Sequence, residues 1–221
     1  MRLRFLLLPV FVLMLSACRA AAWRDYHFTE PVEYYFFYPD SAGLAGPAPL
    51  FLGLLGQDRG PLDCIEFFNQ FAQDRGYALL CPDLGGGEGL ADSQQAERDL
   101  STILAQLYSS QTFQDQFFLA GFGDGGTFAL EYALKYPAAV SGVSVMSPQT
   151  YPVVFVPPGS LPVQLVVGEE DEEGLAAAQA AEQDWRELGI LVRLAPIDGN
   201  GRSPSQTFAR LASQLIDEVS R

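Results

Sequence analysis

One histidine among 221 residues, three cysteines, and 13 basic side chains against 27 acidic ones are the scarcities that limit this chain's chemistry. The single histidine, His27, lies near the N-terminus, where a lone histidine reads as structural, so imidazole has no second place from which to act as a base. The shortage of lysine and arginine leaves a net charge of −14. Such a surface repels phosphate backbones and anionic headgroups, which argues against a nucleic-acid partner. No internal repeat and no interdomain linker divide the chain, so it is long enough for one domain and short for two. The glycine run Gly85-Gly86-Gly87 is not followed by Lys-Ser/Thr, so it reads as a flexible turn and not as a phosphate cradle. No cofactor is expected.

Apolar residues are plentiful, at 48% with 12% aromatic, ample for a core. At the N-terminus Arg2 and Arg4 precede an apolar run from Phe5 to Leu15, and Leu15-Ser16-Ala17-Cys18 then reads as a bacterial lipobox. The stretch Phe5–Ala17 contains Pro9 and is much shorter than the roughly 20 residues that span a bilayer. The expectation is a signal peptide over 1–17, acylation of Cys18, a tether over 18–29, and a folded domain over 30–221 held at the cell envelope by lipid. Removing residues 1–17 takes away two arginines and no acid, so the mature charge is 11 − 27 = −16. Export also places Cys64 and Cys81 in an oxidising compartment. Cys64 falls early in an expected helix and Cys81 late in the strand after it, on one edge of the sheet. A bridge between them and two buried free thiols both fit.

Periodicity sets strands and helices in alternation. The aromatic segment from Tyr26 to Tyr38 predicts one or two edge strands. Leu50–Leu55 is a continuous apolar run, as a buried parallel strand would be. Leu62–Arg75 carries a helical stripe (Leu62, Ile65, Phe68, Phe71, Ala72) stopped by Gly76, and Tyr77–Cys81 is the next buried strand. Ser93 is expected to cap an amphipathic helix with Ala96, Leu100, Ile103, Leu104, Leu107 and Tyr108 on one face. Further strands are expected at 140–146, 161–167 and 191–196. A helix over 172–188 ends at Gly189, and a last helix is capped by Ser203 with Pro204 at its first position. This alternation predicts an α/β fold, a mostly parallel sheet with helices on both faces. The prolines between Pro148 and Ser160 mark a loop too short for a cap domain.

Between the apolar run Gln116–Ala120 and the helical run Thr127–Pro137 stands Gly121-Phe122-Gly123-Asp124-Gly125-Gly126. Strand, tight glycine turn and helix are the setting of a nucleophile elbow, and here the chain resembles the α/β-hydrolase superfamily. The resemblance is nearest to the small cap-less esterases, dienelactone hydrolases and polyhydroxybutyrate depolymerases, and it covers about residues 30–221. It implies a triad of nucleophile, acid and histidine in that order, with an oxyanion hole from backbone amides. The nucleophile serine of G-x-S-x-G is Gly123 here. Asp171 matches the acid, and Arg202, in Gly199-x-Gly201-Arg202, falls where the histidine would sit. Leu55 stands in place of the histidine that usually precedes Gly56. The oxyanion-hole amides correspond to Gln57 and Asp124.

These replacements carry chemical weight. Glycine offers no side chain to attack with, and arginine stays protonated and cannot accept a proton. Shifting the register to make Asp124 the nucleophile puts bulky Phe122 where the elbow requires a small residue, and still supplies no base. The expectation is therefore a degenerate hydrolase in a binding or structural role, with an active ester hydrolase using a non-standard site as the alternative. The helix N-terminus at Asp124 and the charge of Arg202 would suit a small anionic or ester-like ligand. Pairing of Asp124 and Asp171 with Arg202 would instead close the site. A protein partner at the aromatic N-terminal edge is a third option.

Overall fold

The computed structural model describes residues 23–39, 46–56, 59–85, 93–154, 161–199 and 203–219. Cys18, Gln57 and Arg202 lie outside the described residues.

Eight strands form one sheet: β1 (Trp23–Phe28), β2 (Tyr34–Pro39), β3 (Ala48–Leu55), β4 (Ala78–Pro82), β5 (Phe113–Phe122), β6 (Val140–Met146), β7 (Pro162–Gly168) and β8 (Leu191–Ile197). Their order is β1-β2-β4-β3-β5-β6-β7-β8. β2 runs antiparallel to both its neighbours, and every pairing from β4 to β8 is parallel. The aromatic N-terminal segment is thus two strands, of which only β1 lies at the edge. The sheet also reaches back to Trp23, into the stretch the sequence reads as tether.

Five helices cover the sheet: α1 (Pro61–Arg75), α2 (Ser93–Ser110), α3 (Asp124–Lys135), α4 (Glu172–Glu187) and α5 (Gln206–Val219). One core lies between the sheet and α2, α3 and α4, with Leu50, Leu52, Leu100, Ile103, Leu119 and Trp185 in it. The other lies under α1 and α5, where Phe51, Phe68, Phe118 and Phe208 are fully buried. Strands buried on both faces favour apolar residues at successive positions, which is why β3, β4 and the second half of β5 read as continuous apolar runs, while β6 and β7 bury a paired Ser144 and Gln164 among theirs.

Local signals account for the helix ends. Gly60 precedes Pro61 at the first helical position of α1, Asp63 Oδ2 accepts from the Gly60 N–H (2.9 Å), and Gly76 closes the helix at φ 71°. Two caps differ from expectation. α2 begins at Ser93 itself, and α5 begins at Gln206, where Ser205 and not Ser203 accepts from the Phe208 N–H, through Oγ at 3.4 Å and its carbonyl at 2.9 Å. Pro204 lies before this cap, so its missing N–H is never called on.

Cys64 and Cys81 form a disulfide, with Cα atoms 5.9 Å apart. It ties the first turn of α1 to the end of β4. Parallel strand–helix–strand geometry brings those two points to the same sheet edge, which settles the alternative that the sequence leaves open.

Candidate functional site

β5, β6, β7 and β8 run parallel, so their C-terminal ends share one edge, where ligand crevices of open α/β sheets form. At the end of β5 the chain turns at Gly123 into α3. Gly123 has φ 58° and ψ −125°, a combination that L side chains adopt only at a cost. The turn is held by the main chain: Gly123 N–H donates to Met146 C=O (3.0 Å), and Thr127 N–H donates to Gly123 C=O (3.0 Å). Packing demands two of the neighbouring glycines and leaves a third little room. A Cβ on Gly121 would lie 2.5 Å from the Gly125 carbonyl oxygen, one on Gly125 2.5 Å from that of Leu54, and one on Gly126 3.2 Å from that of Gly121. The motif Gly121-x-Gly123-x-Gly125-Gly126 thus lets a helix start directly against two strands.

The end of β3 reaches the same place. Gly56 N–H donates to Phe122 C=O (3.1 Å), and a Cβ on Gly56 would stand 2.8 Å from the nitrogens of both Asp124 and Gly125. The backbone after β3 therefore lies against the positive end of the α3 dipole, the arrangement that would hold an oxyanion-type group. Asp124 opens the helix with its Oδ1 buried and without a hydrogen-bond partner among the described residues.

Asp171 follows β7 and caps α4, its Oδ1 accepting from the Gly174 N–H (3.1 Å). The residue matched to a triad acid thus has a structural duty at a helix N-terminus. The nearby rim is acidic. The Glu169 carboxyl holds its proton more tightly than an isolated carboxylate, because it can donate that proton in a hydrogen bond to the Asp198 carboxylate and because the Asp198 charge disfavours a second anion beside it. His27 lies on β1, five strands from β6, with its Nε2 3.0 Å from Glu33 Oε1 and its ring stacked on Tyr35 at 4.4 Å. It is a hairpin residue.

Two residues at this edge escaped the sequence reading. Thr127 Oγ1 accepts from the N–H groups of Gln149 (2.9 Å) and Thr150 (3.3 Å), fastening the loop after β6 to α3. Threonine in a helix's first turns, poor as a helix former, was the available signal. Tyr151 packs edge-on against Trp185, with ring centres 6.3 Å apart. Burial raises its hydroxyl pKa, and the Asp171 carboxylate adds to that. Only tertiary packing brings it beside α4, so no sequence signal marks it. Ser147, at φ 43° after β6, has a buried Oγ with no partner among the described residues. A groove of about 890 Å³ lies at the opposite edge near Pro137, Val140, Leu161 and Leu191, away from the elbow.

No protein-family model matches the sequence, and no curated protein matches it. Solved structures do. A thermostable esterase superposes with a TM-score of 0.70 at 14% identity over 90% of this chain, and the chain spans 62% of that protein's length. A dienelactone hydrolase from Anabaena variabilis gives 0.67 at 19% identity, covering 89% of this chain and 98% of the other. A bacterial heroin esterase gives 0.69 at 14% identity, covering 92% and 86%.

Proposed function

We infer function from an α/β-hydrolase fold that shows no cap domain among the described residues and has esterases and dienelactone hydrolases among its structural neighbours. We propose that the chain is a hydrolase-fold protein that does not hydrolyse, anchored to the bacterial cell envelope through lipid on Cys18, and that its crevice binds a small ester-like or anionic ligand or serves structure alone. One observation carries the reading: the elbow keeps its backbone geometry at Gly123 while the nucleophile is absent. A Gly there relieves the strain that a serine nucleophile would impose, as expected of a site no longer selected for attack. The neighbours' names favour a second reading, an ester hydrolase with a non-standard nucleophile. Ser147 offers a buried hydroxyl just after β6, yet no described base partners its Oγ, and an unassisted hydroxyl is a poor nucleophile.

The test is hydrolysis of a panel of short and medium acyl esters by the purified full-length chain, beside Gly123→Ser and Gly123→Ser/Arg202→His. We expect the wild type to stay at the buffer rate and the double variant to gain turnover. Wild-type turnover well above buffer would sink the reading. Anchoring is tested separately: palmitate label should be incorporated by the wild type and lost with Cys18→Ser.

A further inference from the structure

The sheet has two edges, and the chain treats them differently. On β8 the residues whose backbone groups face away from β7 are Val192, Leu194 and Pro196. The Leu194 N–H donates to Glu182 Oε1 of α4 (2.8 Å), and the Val192 C=O accepts from Arg186 Nε (3.4 Å). The Val192 N–H donates to the Ile190 C=O (2.9 Å), and Pro196 has no N–H. Glu182 and Arg186, one helical turn apart, are paired with each other at 2.9 Å. Over 192–196 this edge offers another strand no free donor, which is how sheets avoid pairing edge to edge.

β1 is the opposite case. Asp83 N–H donates to Glu33 C=O (2.7 Å), which turns Glu33, Tyr35 and Phe37 toward β4 and Tyr34, Phe36 and Tyr38 toward β1. Their register partners Phe28, Tyr26 and Arg24 therefore face β2. The N–H and C=O groups of Asp25 and His27 face outward, and among the described residues nothing binds those amides. The strand carries no proline, and among the described residues no bulge interrupts it and no helix covers it.

We propose that β1 pairs antiparallel with β1 of a second copy, about a two-fold axis at Tyr26, joining two sheets into one. Hydrogen bonding requires that outward-facing residues oppose one another, which leaves few registers. Centring on Asp25 sets two aspartates face to face, which is repulsive. Centring on Tyr26 places Asp25 opposite His27 of the second copy, twice, and sets the two Tyr26 rings side by side at the non-hydrogen-bonded position. Acid against imidazole and aromatic against aromatic are favourable cross-strand pairs. The interface is independent of the crevice and of what the crevice binds.

The test uses the full-length chain with Cys18→Ser, so that an introduced cysteine is the unpaired thiol. Tyr26→Cys puts two thiols opposite each other across the axis, within disulfide reach, whereas Asp25→Cys puts them on the other face and two residues out of step. Tyr26→Cys should run mostly as a covalent dimer on a non-reducing gel and Asp25→Cys as a monomer. Adding Asp25→Pro, which deletes an outward N–H and spares the bonds to β2, should abolish the Tyr26→Cys crosslink. Light scattering on the chain without introduced cysteines should give the mass of two chains, falling to one with Asp25→Pro. A single-chain mass there, or equal crosslinking at positions 25 and 26, would overturn the proposal.

Discussion

Gly56 and Asp124 meet backbone to backbone: a Cβ on residue 56 would lie 2.8 Å from the Asp124 nitrogen and 2.9 Å from the Asp124 Cβ. These residues are far apart in the sequence, yet their contact joins the end of β3 to the first turn of α3. Whatever the crevice binds is shaped by this junction.

The junction leaves no room for a methyl group. Gly56→Ala is expected to force the α3 N-terminus aside and lower stability by about 1–3 kcal/mol, the usual cost of overpacking a close-packed site. Urea denaturation followed by circular dichroism measures it. An unchanged midpoint would mean that the contact is slack.

Gly123 differs from its neighbours because its constraint is conformational. Gly123→Ser and Gly123→Ala should each cost about 1–3 kcal/mol, since either side chain must adopt a φ that L residues disfavour. Equal losses for the two variants would attribute the cost to the backbone. A loss with serine alone would point to burial of an unpaired hydroxyl.

The Cys64–Cys81 bridge closes a short loop, with a sequence separation of 17. By chain-entropy reasoning a loop of this size contributes about 3 kcal/mol. The Cys64→Ala/Cys81→Ala pair should lower the urea midpoint accordingly, and dithiothreitol should lower the wild type but not the pair. The thiols are buried, so reduction should be slow without denaturant.

Alkaline pH should weaken the fold through its buried tyrosines. Burial pushes the Tyr132 hydroxyl up to about 12, with Tyr136 and Glu97 adding smaller effects. The folded-state value exceeds the unfolded one, near 10, so the folded state holds this proton more tightly. The contribution is complete below about pH 10 and is lost as pH rises through about 12. Tyr132→Phe has no proton to lose, so its stability should fall less steeply than the wild type's between about pH 9 and 11.5. Parallel slopes would show that Tyr132 contributes nothing to the alkaline loss.

Much of this molecule was legible before its coordinates. The helix Pro61–Arg75 and the strand Ala48–Leu55 follow directly from a stripe with a glycine stop and from a continuous apolar run. Gly121-Phe122-Gly123-Asp124-Gly125-Gly126 marked the elbow because glycines clustered between strand and helix have few other uses. The α5 cap was misread because Ser203 and Ser205 flank the same proline, and local sequence does not rank them. Tyr151 stayed hidden because it lies in a loop and its neighbour Trp185 belongs to α4, far along the chain.

By itself the sequence determined the fold class and the absence of a serine at the elbow, because periodicity and side-chain chemistry are local properties. Tertiary structure alone decided that Cys64 bonds Cys81, that Asp171 caps α4, and that Glu182 and Arg186 occupy outward backbone groups of β8 while no described residue does so on β1. Each of these depends on where two segments meet in space. Only the packed sheet brings them within bonding distance.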